Sequence, residues 1–309
     1  MKTKRENHQP KFTLQMTLPQ FERMFPDEEA CKNYLFSRRW PDGVKCPRCG
    51  KSEAVYKIAL PWKWECANKD CRKGNAYRFS LIAGTIFENT KCPLRTWFWV
   101  LFLILTSKKG ISALQIHRTI ESGSYSTAFY MCHRLRAAMN DPDFRQLMGI
   151  VEVDETYIGG KDSNRHWDKK QHKTGGWGKT PVIGAISRKG NLVCKMIERA
   201  DMPTLHRFVA ETVSRKVELV ATDEHSGYQY LARWQELPHE TVNHRGGEYV
   251  RGLVHTNTME SFWSLLKRGI VGTYHNVSKK YLPLYLAECS FRFNNRHEPD
   301  IFGRAIAGC

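Results

Sequence analysis

TPVIGAISRKGNLVCKMIER, residues 180–199, is the stretch that decides the fold. Apolar and β-branched residues run on both sides of Lys189-Gly190, a dipeptide suited to a hairpin turn, which predicts strands over 180–188 and 191–199. Upstream, IVEVD (150–154) alternates with β-branched residues and predicts another strand. Downstream, MPTLHRFVAETV (202–213) has helical spacing, and VELVATD (217–223) reads as a strand. SGYQYLARWQ (226–235) predicts a helix and ETVNHR (240–245) a short strand. HTNTMESFWSLLKRG (255–269) predicts a further helix with Met259, Phe262, Trp263, Leu265 and Leu266 at helical spacing.

The order is β-β-β-α-β-α-β-α. Two hairpin-joined strands follow the first strand, and a crossover helix then leads to a parallel strand. This predicts an α/β (α+β) RNase H-like domain, a mixed sheet with flanking helices, over 147–300.

The carboxylates fall at telling places in that frame. Asp154 ends the first predicted strand and Asp223 the fourth, so adjacent strands would present both acids to one rim. Glu260 lies on the late helix that crosses the rim. Lys267 follows seven residues on, about 700° round the helix and roughly 10.5 Å along it, on the same face. Three oxygen donors from three elements, Asp154, Asp223 and Glu260, suit two Mg²⁺ (or Mn²⁺) ions clamping a phosphodiester. An Asp at a strand end is commonly a turn or cap residue, and a helix Glu is usually solvated. The joint placement of the acids outweighs those bland readings. Glu152 shares a strand face with Asp154 and competes with it, whereas Glu155 and Glu224 point the other way in regular strands. His225 and His255 sit within a few residues of two acids, and hydrogen-bonding roles are expected of them.

The N-terminal half is built differently. Residues 1–40 read as a basic arm and a short helix with the start Pro26-Asp27-Glu28-Glu29. Cys46, Cys49, Cys66 and Cys71 follow in a C-x2-C…C-x4-C pattern with sixteen residues between the pairs. Paired spacing of this kind predicts one structural Zn²⁺ in a zinc ribbon over 41–90. Residues 91–146 predict a helical region, including an apolar run at 97–105 and a helix-turn-helix-like pair whose second member carries Arg134 and Arg136.

The charge points to a partner. Lys and Arg number 48 against 31 Asp and Glu, a net +17, beyond the ~2–8 that solubility asks of a small domain. Nucleic acid is the expected polyanion. Arg134, Arg136, Lys267 and Arg268 are candidate DNA contacts, as are Lys161, Lys169, Lys170 and Lys173 in the Gly-rich stretch 159–180. The N-terminus shows no apolar signal-peptide core, and the longest apolar run is shorter than the ~20 residues a membrane span needs, so no membrane partner is expected. Ten cysteines without an export signal favour metal and free thiols over disulfides.

FPDEEACKNYLFSRRWPDGVKCPRCG, the second Cys pair, VEVDETYIGGK, TDEHSGY, HTNTMESFWSLLKRGIVGTYHNVSKKYL and FRFNNR together resemble the IS1595 family, the ISXO2-like group of DDE transposases, over residues 25–296. The resemblance implies a zinc ribbon, a helical DNA-binding region and an RNase H-like DDE transposase/integrase domain. It implies Asp154 and Asp223 as the first two catalytic acids and Lys267 as the trailing base. Relatives carry Asn, His or Glu at the third position, where this chain offers both Asn257 and Glu260; Glu260 is expected, because a carboxylate holds a metal better than an amide. The resemblance further implies binding of terminal inverted repeats and target DNA, strand transfer in DNA transposition, a homo-oligomer, and the nucleoid of a prokaryotic cytoplasm. A protein that keeps this fold only as a DNA-binding scaffold is the competing reading, and the intact acids oppose it.

Overall fold

The computed structural model describes residues 16–71, 75–120, 123–140, 145–160, 166–170, 176–188, 190–243, 246–248 and 250–309. The chain divides into two compact units, one of Met1–Thr106 with Asn295–Cys309 and one of Ser107–Asn294.

The first unit opens with α1 (Leu18–Met24) and α2 (Glu28–Arg39). Asp27 caps α2 by accepting the Ala30 N–H at 2.8 Å, in keeping with the acid-rich start read from the sequence. Glu28 accepts the N–H groups of Leu94 and Arg95 at 2.9 and 3.0 Å, and so caps α3 (Leu94–Thr106). The apolar run makes α3 a core helix, with Trp97, Phe98, Leu101 and Ile104 at most 1% exposed. Phe25 packs at 5.0 Å from Phe98 and 5.4 Å from Phe302 of the C-terminal helix Ile301–Ala307. Among the described residues no helix is long and apolar enough to cross a membrane.

Between α2 and α3 lies an antiparallel sheet of β1 (Val55–Lys57), β2 (Lys63–Cys66) and β3 (Tyr77–Ser80). Trp64 of β2 stacks on Phe79 of β3 at 6.1 Å and meets Trp40, just after α2, edge-on at 5.1 Å. Cys46, Cys49, Cys66 and Cys71 converge with their sulfurs all within 4.8 Å of one another. Cys46 to Cys71 is 3.6 Å and Cys49 to Cys66 is 3.8 Å. A tetrahedron with Zn–S of ~2.3 Å has sulfur–sulfur edges of ~3.8 Å, so the four thiolates fit one structural zinc.

The second unit begins with α4 (Ala113–Ile120) and α5 (Tyr125–Ala138). Ser112 and Ser124 accept the N–H groups of Gln115 and Thr127, at 3.1 and 3.2 Å. The helices expected together over 91–146 thus fall in both units, α3 in the first and this pair in the second. Then come β4 (Ile150–Ile158), β5 (Thr180–Ser187), β6 (Leu192–Met196), α6 (Met202–Thr212) and β7 (Leu219–Thr222). After them lie α7 (Leu231–Gln235), β8 (His239–Thr241), α8 (Asn257–Gly269) and α9 (Leu282–Asn294). The sheet order is β6-β5-β4-β7-β8. The β4, β5 and β6 pairs are antiparallel, and β7 lies parallel to both β4 and β8. This is a mixed five-stranded sheet with helices, as an RNase H-like domain requires.

Two expectations change here. Asp154 does not end its strand, because β4 continues to Ile158 in unbroken pairing with β5. On its other side, pairing with β7 stops at Glu152↔Ala221, so it is the neighbour that ends at Asp154's level. The segment 226–235 is not one helix: Tyr230 takes a left-handed φ of 62° and separates a 3-10 turn, Ser226–Tyr228, from α7.

The sheet is covered on both faces. Val151, Val153, Ile183, Ala185 and Val220 pack with Leu205, Phe208 and Val209 of α6. Val182, Ile186 and Leu192 pack with Met259, Phe262, Trp263 and Leu266 of α8 and with Leu282 and Leu286 of α9. Gly184, paired with Asp154, leaves room for α8: a Cβ there would collide with Met259 and stand 2.9 Å from the Trp263 ring.

Candidate active site

Alternation along β4 puts Glu152, Asp154 and Thr156 on the face toward α8. Glu152 is fully buried at the start of that helix. It accepts the N–H groups of Thr258 and Met259 at 2.8 and 3.0 Å and the Thr258 hydroxyl at 2.8 Å. Arg188 Nε donates to it at 2.8 Å, and His255 Nδ1 lies 3.2 Å away. Glu152 therefore caps α8 against β4, with its charge at the positive end of the helix dipole. This removes it as a rival to Asp154. Glu152→Ala would strand Arg188 and two helix N–H groups, so a loss of about 3 kcal/mol or more is expected in urea unfolding.

Asp154 is held one residue pair further along. Trp263 Nε1 of α8 donates to its Oδ2 at 3.0 Å, and the Glu155 N–H donates to Oδ1 at 2.9 Å. Asp223 follows β7 directly, and the His225 N–H donates to its Oδ1 at 3.0 Å. The structure adds an acid set aside in the sequence. Glu155 leaves the opposite face of β4, where Tyr228 donates its hydroxyl to Oε2 at 2.8 Å and His225 Nε2 lies 3.7 Å from Oε1. Because β7 stops short, carboxylate oxygens of Asp154, Glu155 and Asp223 still gather within 4.8 Å of one another. Strand parity alone hides this; the signal is the end of a neighbouring strand.

The charges confirm how crowded the group is. Burial pushes the Asp154 carboxyl up to about 8, helped by the negative charges of Glu155 and Asp223. Burial raises Glu155 too, and Asp223 adds to it, while His225 opposes. Clustered, desolvated carboxylates of this kind suit a hard divalent cation, whose charge would offset both effects. The acidic triad fits metal ions on its donor chemistry.

A cleft of about 710 Å³ opens beside the acids, lined by Asp154, Glu155, Thr156, Glu260, Trp263, Lys267, Arg268 and Lys109 among others. Glu260 and Lys267 therefore reach the same space as Asp154, as their common helix face requires. Glu260 lies outside the close triad, and Asn257, the exposed first residue of α8, does not line the cleft. The other expected DNA contacts divide. Lys267 and Arg268 are exposed in the last turn of α8. Arg134 Nη1 donates to the Tyr130 hydroxyl at 2.8 Å. Arg136 is a correction: it is 1% exposed, with Nε 2.7 Å from Glu288 Oε2 and its guanidinium 4.1 Å from the Tyr285 ring centre. A cation enclosed like this joins α5 to α9 and does not face a phosphate. Lys161 and Lys173 lie outside the described residues; Lys169 ends a 3-10 turn, Trp167–Lys169, and Lys170 follows it half-buried.

Two family models match the chain: an ISXO2-like transposase domain over residues 146–294 and a transposase zinc-ribbon domain over residues 26–74. The chain is also 29% identical, over 282 residues, to a protein described as uncharacterized in transposable element ISH50 of Halobacterium salinarum. That match covers 87% of this chain and 92% of the relative.

Proposed function

We propose that this chain, which carries a transposase zinc ribbon and an ISXO2-like, DDE-type transposase domain, cuts and joins DNA strands in transposition. The observation that carries the proposal is the meeting of Asp154, Glu155 and Asp223, two of which, Asp154 and Glu155, line a cleft shared with Glu260 and Lys267. Asp154 and Asp223 would hold divalent metal, with Glu155 and Glu260 as further oxygen donors. Mg²⁺ or Mn²⁺ bound there would supply Lewis-acid charge for phosphodiester cleavage. The protein's own groups fix the geometry. The Trp263 N–H orients Asp154, and Tyr228 with His225 orients Glu155. Lys267 and Arg268 bind phosphate, and α8 carries them on the same rigid element as Glu260. The substrate is the end of a mobile element, held by the zinc ribbon and the helical region, and the freed 3′-hydroxyl is joined to target DNA.

Strand cleavage and joining on a supercoiled donor plasmid with Mg²⁺ tests this. Glu260→Gln is expected to lower cleavage by about 10²-fold or more, because it removes a carboxylate beside the metals. Asn257→Ala is expected to stay within a few fold of the parent. The reverse order would make Asn257 the third-position residue. No Mg²⁺-dependent cutting by the wild-type protein would leave a DNA-binding scaffold as the function.

A further inference from the structure

The cleft holds a third cation, Lys109, besides Lys267 and Arg268. It comes from residues 107–110, which lead into α4, and its side chain is exposed. Its backbone is fixed from three directions. Arg292 of α9 donates from Nη2 to the Lys108 carbonyl at 2.6 Å. Gly269, the buried last residue of α8, lies against the Lys109 carbonyl, since a Cβ there would stand 3.0 Å from that oxygen. Gly110, at a left-handed φ of 82°, lies under Tyr274, and a Cβ on it would collide with the Tyr274 hydroxyl and stand 2.9 Å from Glu288 Oε1. Glu288 is itself buried and held by Arg136 and Arg292. A lysine on a free loop would sample solvent. This one is carried on a backbone seated against the end of α8, next to the turn that presents Lys267 and Arg268.

We propose that Lys109 binds a backbone phosphate of the DNA strand engaged at the carboxylates, completing a rim of three cations with Lys267 and Arg268. The proposal rests on the strand-cleavage reading above. A single phosphate contact contributes about 0.9 to the slope of log affinity against log salt concentration on duplex DNA.

The test compares wild type, Lys109→Gln, Lys109→Arg and a control, Lys216→Gln, at an exposed lysine that does not line the cleft. Binding to a duplex of about 30 bp is measured between about 50 and 200 mM KCl. Lys109→Gln is expected to make the slope shallower by about 0.9, with Lys109→Arg restoring it and Lys216→Gln matching wild type. On supercoiled plasmid with Mg²⁺, Lys109→Gln is expected to raise KM with kcat nearly unchanged, a split that lost folding would not give. An unchanged slope for Lys109→Gln in a wild-type protein that binds and cuts overturns the Lys109 assignment alone. A wild-type protein that binds DNA without cutting overturns the strand-cleavage reading, and this proposal with it.

Discussion

Asp154→Asn is expected to abolish Mg²⁺-dependent strand cleavage, by about 10³-fold or more, in a protein that remains folded. Several kcal/mol of transition-state stabilisation depend on a metal held by charge, and each 1.36 kcal/mol is tenfold in rate. An amide in that place keeps the oxygen that accepts the Trp263 N–H but surrenders the charge. Stability should move the other way. The folded Asp154 carboxyl sits at about 8 against an ordinary 3.8, so the folded state binds more protons than the unfolded state between those values. Without divalent metal, the wild-type protein is therefore expected to lose stability as pH rises from about 4 toward 8. Asp154→Asn should flatten that decline, and added Mg²⁺ should reduce it in wild type only. Thermal melts across pH, with and without Mg²⁺, check both halves. A variant that still cuts DNA would remove Asp154 from the chemistry.

Removing zinc is expected to unfold the ribbon while the sheet unit stays folded. The small sheet of β1, β2 and β3 has few buried side chains of its own, among them Trp64, Cys66 and Phe79. Binding of a structural zinc by such modules is worth about 10–16 kcal/mol near neutral pH, and that energy is folding energy. Cys66→Ser removes a ligand that also lies in the ribbon's central strand. Loss of bound zinc by metal analysis, protease cutting confined to residues around 46–80, and loss of DNA-end affinity are the expected results. Retention of the ribbon's resistance in a zinc-free protein would show that the aromatic packing alone suffices.

Much of this molecule is legible in its sequence because local rules and tertiary demands agree. The 180–199 hairpin, the crossover helix and the Cys pairs were readable because each is set by nearby residues or by fixed ligand spacing. Asp223, expected as the last residue of its strand, directly follows it. What escaped was set by partners far along the chain. Strand β4 runs past Asp154 because β5 pairs with it to Ile158. Glu155 joins the acids because β7 ends early, which no periodicity on β4 itself reveals. Arg136 reads as a surface cation until Glu288, 152 positions on, is seen beside it. Glu152 looked like a rival acid because its real partners lie on α8.

That last contact has a consequence for how such chains can vary. Glu152 grips the start of α8 across 106 positions of sequence, two residues before Asp154 on its own strand. The alignment of Glu260 and Lys267 with Asp154 is thereby referenced to a buried joint and not to the length of the connecting chain. The length of those connections therefore does not set where the helix sits, so long as the joint holds. Spacing counted along the chain is then a poor guide to whether Glu260 faces Asp154, and the Glu152 joint is the better one.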